Sequence, residues 1–449
     1  MTRSNISKLK NKIKQDKKNI LYFILMLLPA AFVLTNRFSY LALSAFLILG
    51  VTGILFFFYK GKITEYHFIV DKILIILFFY LILSFLFSNQ NIIDLFSYKF
   101  LRYDGSIFFS YITFFIFSVP FIKYEKASKF YFNIIFLIFI VFAIFGFYEY
   151  ITKDYFFTVR VDFLMPMFVA ANIAHNATGS AYAIISIFAF AFFLYSEKLN
   201  KVFYFIVLII CLPALLITKS RGSLIAFVIA GFFILLIYLK SFKKIIIAIS
   251  TLFVALVSMI FITGTFERVL QIFILKDNST FLNRLFFWKK AIYLFNQSPL
   301  FGVGFGRFND IGFTVGEEVH LTGIPGVISF YTNKNFTFDE SFAHNSYLHF
   351  LSETGIIGLA LVLIFWITCF YLIFKSYKYI ENKNLKKILF ASLGGIIGLF
   401  ILSITENYFT SPTVMMILSV STSLSLGTAW EVQIRKKNLL LIKDSPNNL

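Results

Sequence analysis

The chain has 449 residues, 59% of them hydrophobic and 20% aromatic, with a formal net charge of +19 at pH 7. A mean hydropathy of +0.83 excludes a water-soluble globule of this length and implies a polytopic membrane protein. The cationic excess sits mainly in short connectors between apolar blocks, so it points to an anionic membrane surface and not to nucleic acid.

In chain order, residues 1–19 form a basic tail carrying Arg3, Lys8, Lys10, Lys12, Lys14, Lys17 and Lys18. The apolar block that follows has full spanning length and no small-residue cleavage pattern, so it reads as a retained first span. A bilayer core of about 30 Å takes roughly 20 apolar residues per helix. Blocks of that kind recur at about 20–36, 39–59, 69–88, 105–121, 130–150, 175–195, 202–218, 223–240 and 245–263, and then at 346–374, 388–405 and 411–430. The expected fold is therefore an all-α polytopic membrane protein of about twelve transmembrane helices, nine in residues 20–263 and three in residues 346–430. A large loop at 264–345 separates the two groups, and a short tail follows at 431–449. An even number of spans places both termini on one side. Lys and Arg crowd the connectors that side would share, so both termini are predicted cytoplasmic and the large loop extracytoplasmic. Cys211 and Cys369 fall inside apolar blocks and read as small buried hydrophobes.

Ahead of the large loop, two connectors on its side hold polar residues. His175 and Asn176 open the sixth span and are reserve candidates for substrate contact. The tight hinge Thr218-Lys219-Ser220-Arg221-Gly222-Ser223 holds two cations on the side that the charge rule disfavours. A helix beginning near Ser223 would aim free N–H groups and its positive dipole end at the same spot, so Arg221, with Lys219 beside it, reads as a fixed anion site. The alternative is an arginine reaching the lipid headgroups.

Inside the large loop, Phe281, Leu285, Trp288, Ile292 and Phe295 recur at spacings of four and three, which predicts an amphipathic helix lying on the membrane surface. Asp277, Ser279 or Thr280 can cap its start, and Pro299 ends it. Arg284 falls near the edge of the apolar face, while Lys289 and Lys290 are expected to face water or headgroups. Gly302, Gly304 and Gly306 predict a flexible turn that admits close backbone approach. The loop closes with His344, followed by Asn345 and Ser346 as possible caps of the tenth span. The positive end of that helix opposes a second positive charge, so the His344 ring is expected to be neutral and able to accept a proton. His349 and Glu353 lie deeper and need buried partners. Asn345 and Tyr347 stand close enough to His344 to touch a substrate. No spacing for metal ligands and no nucleophile-plus-base motif is visible.

Three landmarks occur in order: Ser220-Arg221-Gly222; Arg284-x-x-x-Trp288 leading to Pro299-Leu300-Phe301-Gly302-Val303-Gly304-Phe305-Gly306; and His344-Asn345-Ser346-Tyr347-Leu348 running into Glu353-Thr354-Gly355-Ile356-Ile357-Gly358. Together they resemble the O-antigen ligase family and its relatives among O-antigen polymerases and protein O-oligosaccharyltransferases. The resemblance implies an inverting, metal-independent glycosyltransferase with no cofactor. It would move a glycan from undecaprenyl diphosphate to an acceptor hydroxyl on the outer face of the bacterial inner membrane. It also implies Arg221 and Arg284 as the diphosphate-binding residues, His344 as the base, and an acceptor glycolipid such as lipid A core. A polymerase that joins lipid-linked repeats is the alternative with the same chemistry. A lipid-linked oligosaccharide transporter is the alternative from another class.

Overall fold

The structure is a computed structural model that describes mainly residues 23–33, 47–55, 69–88, 104–118, 125–154, 175–239, 279–311 and 342–443, with short strands and isolated residues between them. The architecture is helical. In chain order the elements are α1 (Phe23–Val33), α2 (Ile69–Phe87), α3 (Ser106–Phe117), α4 (Glu125–Thr152), α5 (His175–Tyr195), α6 (Lys198–Ile217), α7 (Arg221–Leu239), α8 (Ser279–Gln297), α9 (Ser346–Tyr377), α10 (Lys383–Leu402) and α11 (Pro412–Lys443). Among the described residues, eight helices are long and apolar enough to cross a membrane, namely α2, α4 to α7 and α9 to α11. The shorter α1 and α3 coincide with the first and fourth predicted spans. The predicted second span is described only over 47–55, and the predicted ninth lies outside the described residues apart from single positions. The large loop adds two antiparallel pairs of two-residue strands, Thr314–Val315 with Phe336–Thr337 and Glu318–Val319 with Phe330–Tyr331.

The helices sort by burial in the way lipid contact requires. Ile75, Ile76 and Phe79 of α2 and Ile364, Ile367 and Tyr371 of α9 are exposed, while α5, α10 and α11 are buried along most of their length. The inner helices pack through small residues. Ser392 of α10 donates to the Ser421 carbonyl oxygen and lies 2.6 Å from the Ser425 hydroxyl of α11, and Gly394 and Gly395 sit against Ile187 and Phe188 of α5. Such close approach is how membrane helices associate where lipid offers no hydrophobic drive. Cys211 and Cys369 are free and buried, as their positions predict.

Consecutive helices run up and down, so connectors segregate to two ends. Glu125 with Asn382 and Glu197 with Lys383 meet at one end. Asn176, Arg284, His344 and Glu406 meet at the other.

At that second end α9 is not continuous. It breaks at Gly355 (φ +64°, ψ −170°), roughly 14 Å along the helix from its start at 1.5 Å per residue. The segment that follows Pro299 enters the break and replaces the lost helical bonds. Val303 and Gly304 donate their N–H groups to the Ser352 and Glu353 carbonyl oxygens, at 3.0 and 2.9 Å. Ile356 donates to Pro299 at 3.0 Å, and the Tyr80 hydroxyl donates to Thr354 at 2.6 Å. Backbone groups at membrane depth must be paired inside the protein, which this exchange achieves. A Cβ on Gly302 would lie 2.2 Å from the Glu353 carbonyl, and one on Gly355 2.2 Å from the Leu300 oxygen. The glycine-rich turn is thus a re-entrant wedge, bound tightly where the sequence suggests flexibility.

Candidate functional site

α8 runs over Ser279–Gln297, with the ends that its sequence predicts. Its protein-facing side is rotated from the expected one. Leu285 of the expected stripe is buried, but so are Phe286, Phe287, Ala291 and Leu294, whereas Ile292 is exposed. Lys290, expected at the surface, is 1% exposed, with its Nζ 4.7 Å from the centre of the Phe308 ring. The buried face meets α9 and the wedge, and periodicity alone reports a stripe without saying which partner it packs against.

This rotation aims Arg284 and Phe287, one turn apart, at the start of α9. The His344 ring lies 5.4 Å from the Phe287 ring. His344 has φ +48°, a left-handed conformation that few non-glycine residues adopt, histidine more readily than most. Immediately after it the Asn345 side chain accepts a hydrogen bond from the Leu348 N–H, capping α9.

Glu406, in the connector between α10 and α11, gathers the site. Its Oε1 accepts from Arg284 at 3.1 Å and from the Asn176 amide at 2.6 Å, and its Oε2 lies 2.6 Å from His344 Nδ1. Ser346 fastens this connector to α9, since its hydroxyl donates to the Glu406 carbonyl oxygen and accepts the Tyr408 N–H. Ser180, Ser220 and Ser223 and the Tyr408 hydroxyl then form a hydrogen-bonded chain joining the first turns of α5 and α7. Burial alone would raise the Glu406 carboxyl pKa. The hydrogen bond and charge of His344, the charge of Arg284 and the Asn176 amide outweigh burial and hold it below its ordinary value.

Other candidates are placed as follows. Arg221 is half-buried as the first residue of α7. Its neighbour Gly222 stands against Thr405, the residue before Glu406, where an added Cβ would be 2.3 Å from the hydroxyl oxygen. Lys219 is exposed in a tight turn at φ +57°. His175 begins α5, and its side chain lies outside the described residues. Asn345 is occupied as a cap. The Tyr347 hydroxyl turns inward to the Phe400 carbonyl oxygen at 2.8 Å, away from the cluster.

Below the cluster the buried groups expected to need partners find them. His349 Nε2 lies 3.1 Å from Asp104 Oδ1 and 3.6 Å from Glu353 Oε2. Glu353 accepts the backbone N–H groups of Gly306 and Phe308, at 3.0 and 2.8 Å. The ligand-type atoms of Asp104, His349 and Glu353 lie within 4.8 Å of one another. No metal-ligand spacing shows in the sequence because Asp104 stands 245 positions from His349. In this structure the carboxylate oxygens of Glu353 are engaged by the wedge, so the trio acts as its clasp.

Residues 206–363 match the family model described as O-antigen ligase. The chain carries an O-antigen ligase family domain. No curated protein matches the chain. The O-antigen ligase domain runs from within α6 to within α9, so it holds Arg221, Arg284, His344, the wedge, and His349 and Glu353 of its clasp, but not Asp104. Glu406 and Asn176 lie outside it. Nothing in the sequence pattern singles out Glu406, although a carboxylate at the junction of two apolar blocks needs a buried partner, which is the available signal.

Proposed function

We propose that this O-antigen ligase family protein transfers a glycan from undecaprenyl diphosphate to an acceptor hydroxyl on the extracytoplasmic side of the inner membrane, with inversion. The observation that carries this reading is the contact of His344 Nδ1 with Glu406 beside Arg284. A carboxylate at Nδ1 selects the tautomer whose Nε2 lone pair is open to accept a proton. The His344 side chain keeps 34% of its surface exposed, so a substrate can reach it.

In the proposed step Nε2 takes the acceptor's hydroxyl proton as its oxygen attacks the anomeric carbon. The bond from that carbon to the diphosphate oxygen breaks, and the leaving group departs with the electron pair. General-base assistance of this kind contributes roughly 10²- to 10⁴-fold. Arg284 and Arg221 are the proposed partners of the developing diphosphate charge, for which forked guanidinium groups suit two oxygens at once. The packing of Gly222 against Thr405 supports bringing Arg221 to the same end as Glu406. Arg284 already shares one nitrogen with Glu406, which keeps the guanidinium oriented before substrate arrives.

The test is transfer by the purified full-length protein given a lipid-linked glycan and either lipid A core or a second lipid-linked glycan. Capping of lipid A core is expected, with loss of transfer in His344→Ala. Chain lengthening alone would make the enzyme a polymerase. Transfer undiminished by a chelator is expected, because the charged groups proposed for the step are arginines. Intact transfer in both His344→Ala and Arg221→Ala, with failed export of the lipid-linked glycan, would favour a transporter.

A further inference from the structure

A cleft of about 460 Å³ opens between the last turns of α2 and the wedge, lined by Leu83, Phe87, Phe301 and Val303 together with Tyr80 and Gly304. Its volume is in the range of ligand sites. Its polar groups are already committed. The Tyr80 hydroxyl donates to Thr354, the Ser84 hydroxyl oxygen accepts the Phe305 N–H, and the Ser88 hydroxyl donates to Phe85. Water needs two to four partners to settle in such a space, so the cleft favours hydrocarbon. It opens among apolar groups that face outward, since Phe87 is 82% exposed, Phe301 59% and Leu300 57%.

A cation stands at the rim. Arg307 reaches Ser88, a lining residue, where its Nη1 donates to the carbonyl oxygen at 3.0 Å. Its Cδ would be 3.2 Å from a Cβ on Gly304. Among the described residues Arg307 makes no ion pair. An arginine at the edge of an apolar, lipid-facing cleft matches a phosphate whose hydrocarbon chain fills the cleft.

We infer that this cleft binds one acyl chain of an anionic phospholipid, with the lipid phosphate on Arg307. The inference is independent of the transfer reaction. The bound chain bridges α2 and the wedge, so occupancy stabilises the folded protein by mass action.

The experiment uses full-length protein in detergent, titrated with phosphatidylglycerol or with phosphatidylcholine of the same chains, and reads the unfolding temperature. Phosphatidylglycerol is expected to raise it by a few °C more than phosphatidylcholine, on the order set by linkage. Leu83→Trp should abolish the rise from both lipids, Arg307→Gln should reduce the phosphatidylglycerol rise to the phosphatidylcholine value, and Arg307→Lys should keep most of the preference. Equal rises in the wild type, or a full rise in Leu83→Trp, would overturn the inference. Wild-type protein labelled by a phosphatidylglycerol with a photoreactive acyl chain gives a reading free of folding effects. Label on the 80–88 and 301–304 segments is expected, and label confined elsewhere would sink the proposal.

Discussion

His344 Nδ1 lies 2.6 Å from Glu406 Oε2, across 62 positions of sequence and two membrane helices. The contact fixes which ring nitrogen is left for chemistry and ties the end of the large loop to the connector between α10 and α11. Glu406→Gln removes the negative charge while keeping the side chain's size. Transfer is expected to fall by about 10- to 100-fold in kcat with KM for the lipid-linked donor little changed, and His344→Ala to fall by about 10²- to 10⁴-fold. Steady-state kinetics on both variants check this, and a Glu406→Gln enzyme of wild-type kcat would remove the carboxylate from the proposed step.

The pH dependence of stability follows from the same carboxylate. Its folded pKa is held below the ordinary carboxylate value, which is about 4.3 for a free Glu. Its contribution is therefore complete above that value and is lost as pH falls through the lowered one. The difference in unfolding temperature between wild type and Glu406→Gln should be constant from neutral pH down to about pH 5 and shrink below about pH 4. A difference that grows as pH falls would reverse the sign of the argument.

For the arginines, shape is expected to matter as well as charge. Arg284→Lys keeps the charge but loses the planar fork that can hold Glu406 and a phosphate together. At least a tenfold loss of kcat/KM is expected in Arg284→Lys and in Arg221→Lys. Wild-type rates in both would speak against a bidentate diphosphate site.

The wedge predicts a sharp ranking among glycines. In Gly302→Ala and Gly355→Ala the new methyl would stand 2.2 Å from backbone atoms at positive φ, whereas at Gly231 the nearest atom is 3.9 Å away. Left-handed backbone alone costs about 1–2 kcal/mol for a residue with a Cβ, and the overlap adds to it. The first two variants should yield little monodisperse protein in detergent, while Gly231→Ala should match wild type by size-exclusion chromatography and thermal unfolding.

Glu353→Gln tests the clasp. Glu353 accepts two backbone N–H groups, one on each carboxylate oxygen, and an amide nitrogen cannot accept. Leaving one buried donor unpaired costs about 1–3 kcal/mol. Hydrogen exchange in the 304–308 segment should quicken more than in α10, and equal exchange in both variant and wild type would show that the clasp holds nothing.

Periodicity and apolar length already placed α2, α4 to α7 and α9 to α11 and the ends of α8, because spanning a bilayer is a local demand on each block, and left Asn345 and Ser346 as possible caps of α9. The same reasoning picked out Arg284, His344 and Asn176. Two of its expectations failed for one reason. Lys290 is buried and the glycine turn is pinned because α8 and the wedge pack into the bundle, whereas periodicity carries no information on that packing.

What the amino-acid order determined by itself was a helical membrane protein with its polar chemistry gathered at one end, for hydropathy and charge are properties of short segments that no distant contact can cancel. Only the folded arrangement decided that Glu406 joins Arg284 to His344, that Asp104 pairs with His349, and that the break at Gly355 is filled by Pro299–Gly304. Those are pairings between segments far apart in the chain. Each is fixed by the need of a buried charge or backbone group for a partner, and a linear sequence states the need without naming the partner.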